Sequence, residues 1–176
     1  MNNLDPMKKT DKKDNSKIPY LYLLIAILLI LAFLAMIWYG TPDERLLKAV
    51  KKCDVNAARN ALAKGAHVNL TSPTNDVVNG ASMLFFAARD GCMALVELLL
   101  ANKADVNVKV TGTRHYTGWT ALMIAVEKGQ TNIVQLLLKQ GADVKTTGED
   151  GKTALQIAEA GGQAEIARLL KEAGAK

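Results

Sequence analysis

Two stretches near the end of the chain almost repeat each other: "GWTALMIAVEKGQTNIVQLLLKQGADVK" over residues 118–145 and "GKTALQIAEAGGQAEIARLLKEAGAK" over residues 151–176. Self-similarity at a fixed period decides the fold class before any residue-level reading, because each repeat is one supersecondary unit. Two further echoes stand upstream. "KADVN" (Lys103 to Asn107) and "GAHVN" (Gly65 to Asn69) match "GADVK" (Gly141 to Lys145), so the markers fall 38 and 38 residues apart, and Gly141 to Gly174 spans 33.

Within one unit the pattern reads helix, tight turn, helix, loop. From Thr120, Leu122, Ile124, Ala125 and Val126 are the apolar or small positions of a short helix that Gly129 ends as a C-terminal cap. A second helix follows. Thr131 is placed to cap it, Ile133, Val134, Leu136, Leu137 and Leu138 supply its buried side, and Gly141 closes it. Neither helix is long enough to be stable alone, so each pair must bury its apolar stripe against the next pair.

These residues resemble the ankyrin-repeat family, whose 33-residue unit carries G-x-T-P-L-H-x-A. "GWTALMIAVEKG" follows that motif most closely, "GKTALQIAEAGG" repeats it, and "GASMLFFAARDG" keeps its form with Ser82 for threonine. A divergent first unit is visible in "LLKAVKKCDVNAARNALAKGAHVN". The resemblance implies an all-α solenoid of helix-turn-helix units with β-hairpin-like finger loops, in four units at about 41–70, 77–108, 115–146 and 148–176. The motif's proline is replaced by Met83, Ala121 and Ala154 and its histidine by Phe85, Met123 and Gln156, so the hydrogen bonds that brace neighbouring units are expected to be altered.

The other end of the chain has a different character. Ile18 to Tyr39 is uncharged over 22 residues. At about 1.5 Å per helical residue it matches the roughly 30 Å hydrocarbon core of a bilayer. Tyr20 and Tyr22 at one edge and Trp38 and Tyr39 at the other suit the two membrane–water interfaces. The run is longer than the apolar region of a cleaved signal peptide, and Trp38 stands where a small residue would be needed, so an uncleaved signal anchor is expected. Residues 1–17 form a polar tail with five lysines against three aspartates, expected to be disordered. Its lysines slightly outweigh Arg45, Lys48, Lys51 and Lys52 beyond the span, which favours the N-terminus inside and the repeats outside; in a bacterium that is the inner membrane with the repeats in the periplasm. Thr41, Pro42 and Glu44 have the spacing of a capping box with proline at the first helical position, so a helix is predicted to begin there at once.

Little in the sequence suggests chemistry. Gly151, Lys152 and Thr153 end a stretch that looks like a phosphate-binding loop, but Thr146 occupies the position of its earlier glycine, and the three residues are the repeat's own G-x-T. His67 and His115 lie in separate loops without companion ligands, so neither a metal nor a cofactor is expected. No nucleophile motif occurs, and no catalytic residue is assigned. The net charge of +5 includes no basic stripe with interleaved aromatics, which argues against nucleic acid. Cys53 and Cys92 fall at helix–helix turns of adjacent units; stacked helices lie about 8–10 Å apart and a disulfide needs Cα atoms closer than about 7 Å, so free thiols are expected.

What remains is recognition of a protein partner. The residues beyond the 33-residue unit lie in the loops between units, where insertions map to one side of an array and often to its binding side. The resemblance implies that these loops, with the first helices, line a concave surface. It places the variable contact positions at Asn79, Ala81, Arg89 and Asp90 in the second unit and at Tyr116, Thr117, Trp119, Glu127 and Lys128 in the third. In the fourth they are Glu149, Asp150 and Lys152. Arg114, His115, Tyr116 and Trp119 form the sharpest candidate cluster, since aromatic residues and arginine dominate interface energetics. Such a module could be an accessory subunit or scaffold of a membrane complex, or a periplasmic inhibitor or immunity protein. A role in redox protection rests on the two cysteines alone.

Overall fold

The computed structural model describes residues 18–72, 80–112 and 115–176, and within the first helix the described side chains are those of Tyr20 and residues 22–31. Nine helices are found among the described residues: α1 (Ile18–Tyr39), α2 (Pro42–Lys51), α3 (Val55–Ala63), α4 (Met83–Arg89), α5 (Met93–Ala101), α6 (Ala121–Glu127), α7 (Thr131–Lys139), α8 (Ala154–Ala160) and α9 (Ala164–Glu172). Thr41–Lys176 is one compact unit and α1 belongs to another.

α1 runs over the 22 apolar residues expected of it. Its described aliphatic side chains are exposed, from Leu23 to Leu31. Among the described residues no helix is long and apolar enough to cross a membrane. The side chains of Trp38 and Tyr39 lie outside the described residues, whereas Tyr20 and Tyr22 are exposed.

In the compact unit α2–α9 form four helical pairs, with the first helices α2, α4, α6 and α8 adjacent in one layer and the second helices α3, α5, α7 and α9 in the other. Local chemistry sets the boundaries. The Thr41 hydroxyl accepts the Glu44 N–H at 3.2 Å and the Glu44 carboxylate accepts the Thr41 N–H at 3.1 Å, closing the predicted capping box ahead of Pro42. Gly129 takes a left-handed backbone (φ 66°) just past α6, as its stop-signal reading requires, and Cys53 (φ 54°) adopts the same conformation at the matching place in the first pair. Thr131 does not cap α7. It is the first helical residue, and Gln130 stands at the cap without a side-chain hydrogen bond.

The core runs between the layers. Leu46, Val50, Leu84, Phe85, Leu95, Leu99, Leu122, Ile124, Ile133 and Leu137 are all at most 2% exposed. Burying each such side chain contributes about 1.5–3 kcal/mol, which no single pair could collect alone. Leu136 and Leu138, expected inside, are half-buried at the edge of α7.

A second device ties the units together along their loops. Asn69 Oδ1 accepts the Asp105 N–H at 2.8 Å, and one period later Asn107 Oδ1 accepts the Asp143 N–H at 2.9 Å. The first unit has no predecessor to supply that acceptor. Asp43 of α2 fills the place, taking the His67 N–H on Oδ1 at 2.7 Å. That hydrogen bond, assisted by the His67 ring and opposed by partial burial, holds the Asp43 carboxyl below the ordinary carboxylate range.

The cysteine expectation is corrected. Cys53 and Cys92 form a disulfide with their Cα atoms 5.8 Å apart, inside the bridgeable range. The spacing of helix axes was the wrong ruler, because the two residues do not occupy equivalent positions. Cys53 matches Gly91, whereas Cys92 is the next residue on, at the start of α5. The turn of one unit thus faces the second-helix start of the next. The same facing pair recurs as Gly91 with Gln130, where a Cβ on the glycine would lie 2.7 Å from Gln130 Nε2, and as Gly129 with Gln163 at 3.7 Å.

Candidate interaction surface

At their described bases the loops between units pair as hairpins through backbone hydrogen bonds. Ser72 N–H donates to Ala81 O at 2.8 Å and Gly80 N–H to Ser72 O at 3.0 Å. Val110 N–H donates to Trp119 O at 2.9 Å, and Gly118 N–H to Val110 O at 2.8 Å. The last finger is shorter, closed by Gly148 N–H on Lys152 O at 3.0 Å. Successive fingers also touch: the Glu149 N–H donates to Thr117 O at 2.9 Å, and Gly80 lies so close to Thr111 that a Cβ there would meet its Oγ1 at 2.0 Å. Finger register is therefore fixed by main-chain geometry as well as by the helices beneath.

Of the predicted contact residues, Asn79 and Arg114 lie outside the described residues. Two others are not surface. Ala81 is fully buried, and Trp119 is only 6% exposed because its hairpin folds the ring inward onto Gly148 of the next finger, where an added Cβ would sit 2.6 Å from Trp119 Nε1. Tyr116 is half-buried in an aromatic series, its ring centroid 5.2 Å from Trp119 and 5.8 Å from Phe85, all edge-on. His115 is exposed beside it and Thr117 half-buried.

At the ends of the first helices the arrangement is charged. Arg89 is half-buried, donates to both Asp90 carboxylate oxygens (2.7 and 3.0 Å) and lies over the Phe86 ring at 5.0 Å. Glu127 and Lys128 are exposed and paired at 3.8 Å. Glu149, Asp150 and Lys152 are exposed in the last finger, Lys152 reaching Asp150 at 3.7 Å. Exposed neighbour pairs of this kind stabilise little and keep their charge available to a partner. Lys51 was not foreseen as part of this row. It stands 38 residues before Arg89, and its Nζ also lies over the Phe86 ring, 5.6 Å from the centroid. The period itself was the signal that could have found it.

The G-x-T residues of the last unit have local duties. The Thr153 hydroxyl accepts the Gln156 N–H at 3.3 Å, and Gln156 returns the favour to the Thr153 N–H at 2.9 Å. Gly151 takes the turn before them with φ 76°. Among the described residues no three His, Cys, Asp or Glu side chains gather where they could hold a metal ion.

The family model for ankyrin repeats (3 copies) matches residues 46–148 and 84–176. The chain belongs to the ankyrin-repeat family. Curated relatives include the rat ankyrin repeat and SAM domain-containing protein 6 (Rattus norvegicus), 41% identical over 85 residues that make up 48% of this chain and 9% of that protein. The human mitochondrial disaggregase (Homo sapiens) is 37% identical over 106 residues, 60% of this chain and 13% of the relative. Dauer abnormal formation protein 25 of Caenorhabditis elegans is 32% identical over 111 residues, 63% and 26% respectively. The chain thus spans about a quarter or less of these relatives. Ankyrin repeats are in general a non-catalytic interaction domain, and this ankyrin unit is a protein–protein interaction module.

Proposed function

We propose that the chain is a membrane-anchored scaffold or accessory subunit, which holds a partner protein against its first-helix layer and fingers on the oxidising side of a bacterial inner membrane. The observation that carries the binding surface is the fixed register of the fingers over a row that repeats once per unit: Lys51, Arg89 with Asp90, then Glu127 with Lys128. Backbone held by main-chain hydrogen bonds needs little ordering on association, and a row of mixed sign selects a partner of complementary sign. His115 and Tyr116 add the aromatic contact area that anchors interfaces.

Anchoring is supported by α1, an uncharged helix of 22 residues. Its described aliphatic side chains follow one another around the whole circumference, and a helix apolar on every side suits lipid or a protein core. The oxidising side is supported by the Cys53–Cys92 disulfide, since such bridges persist outside the cytosol.

The test is purification of the full chain from gently solubilised membranes after brief cross-linking, beside Arg89→Glu/Lys128→Glu and His115→Ala/Tyr116→Ala variants that leave Trp119 in place. A partner retained by the wild type and lost from both variants is expected. A partner retained equally by all three moves recognition to α1 or to another side of the repeats and overturns this surface.

A further inference from the structure

The two ends of the helical stack differ in charge. At the C-terminal end the cations of α9 are matched: Arg168 pairs with Glu165 at 2.8 Å and with Glu172, and Lys171 with Glu159 at 2.8 Å. At the N-terminal end α2 and α3 leave an open groove of roughly 290 Å³, floored by alanines and lined by Arg45, Lys48, Lys52 and Lys64. Its single acid, Asp54, is engaged as the cap of α3, its Oδ1 accepting the Ala57 N–H at 2.9 Å. Lys48, Lys52 and Lys64 are exposed and form no ion pair among the described residues.

One unit later the positions of Arg45 and Lys48 hold Met83 and Phe86, and those of Ala57 and Ala61 hold Leu95 and Leu99, all of them buried. A terminal unit needs a polar outer side in place of those apolar residues. Solubility asks nothing more, and the opposite end meets it with balanced pairs. A groove with four cations against one carboxylate, with alanines low enough to admit a bulky anion between the cations, calls for a negatively charged occupant.

We propose that this groove binds the phosphate headgroups of anionic phospholipids. The proposal rests on the anchored reading above, and chain connectivity favours the lipid source. Arg45 follows Tyr39, the last residue of the proposed anchor, by six residues in the chain. Anionic headgroups at a bilayer surface attract lysine and arginine by roughly fivefold in partitioning per charge. The groove then acts as a second, lipid-selective contact in addition to the apolar helix.

The experiment reads hydrogen exchange of residues 42–64 in the full chain reconstituted into nanodiscs of phosphatidylcholine alone or with added phosphatidylglycerol. Phosphatidylglycerol is expected to slow exchange in α2 and α3 several-fold and to leave α6–α9 unchanged. Lys48→Glu/Lys52→Glu/Lys64→Glu is expected to abolish the effect. Lys139→Glu/Lys145→Glu/Lys176→Glu, equal in charge change and also exposed, is expected to retain it. Equal exchange in the two lipids, or equal loss in both variants, overturns the groove. Protection by inorganic phosphate in phosphatidylcholine discs that matches the lipid effect overturns the lipid occupant in favour of a free anion. Alkaline carbonate extraction of native membranes tests the anchor separately. If the chain is released, pelleting with phosphatidylglycerol vesicles, lost only in the first variant, keeps the groove, and failure to pellet removes it.

Discussion

Thr120 and Thr153 begin equivalent helices and do different work. Thr153 Oγ1 caps α8 by accepting the Gln156 N–H, whereas Thr120 Oγ1 is buried without a hydrogen-bond partner among the described residues; Met123, at the place of Gln156, also has no side-chain oxygen to take the Thr120 N–H. Removing a satisfied cap costs about 1 kcal/mol, while removing a buried unpaired hydroxyl relieves a desolvation cost. Thr153→Val is therefore expected to lower the unfolding free energy read from urea titration by that order, and Thr120→Val to leave it unchanged or raise it. Asp43 makes the corresponding argument in pH. Its folded carboxyl titrates below the ordinary range, so its contribution is complete above about pH 4 and is lost as the pH falls through the folded value. Asp143, lowered chiefly by the Lys145 N–H and then by the Thr146 hydroxyl, acts in the same sense. Unfolding midpoints followed down from neutral pH should show a shallower acid loss for Asp43→Asn than for the wild type, and equal slopes would remove Asp43 from the account.

Among the elements, α2 and α3, like α8 and α9, pack on a neighbouring pair on one side only, and at the α2–α3 end the disulfide compensates. Closing a loop across a sequence separation of 39 contributes about 3–4 kcal/mol in the chain-entropy picture. Cys53→Ser/Cys92→Ser is expected to speed hydrogen exchange in α2 and α3 far more than in α6 and α7, and uniform acceleration would show that the bridge serves the whole stack. The helices themselves were legible in the sequence because their signals are periodic. Gly129, Gly141 and the Thr41 capping box could be placed from spacing alone. The bridge was not, since it depends on a one-residue offset between turns that an alignment of equivalent positions conceals. Trp119 and Ala81 were misplaced for a related reason: a variable loop position in a repeat does not say which way its hairpin turns the side chain. Gly148, which leaves room for the Trp119 ring, was the available clue.

At the scale of the whole molecule, an uncharged helix and an interaction module share one chain, and their roles separate by exchange. Replacing Ile18 to Tyr39 with an unrelated apolar span should preserve membrane retention. It should also preserve partner capture if the helix is a plain anchor; loss of the partner with retention intact would assign α1 a specific contact and favour a subunit buried in a larger complex over an inhibitor. The turn-to-turn facing pair has a consequence of another kind. It arises from the period, so Gly91 with Gln130 and Gly129 with Gln163 repeat at later junctions the juxtaposition that Cys53 and Cys92 exploit at the first. Cys53 shows that a side chain is tolerated in that left-handed turn. Paired cysteines at either later junction would therefore face each other across the same turn, and recombination that added or deleted whole units would carry that facing along. The array thus holds its covalent lock as an inheritable, movable trait, open to a lineage that changes compartment without redesigning its core.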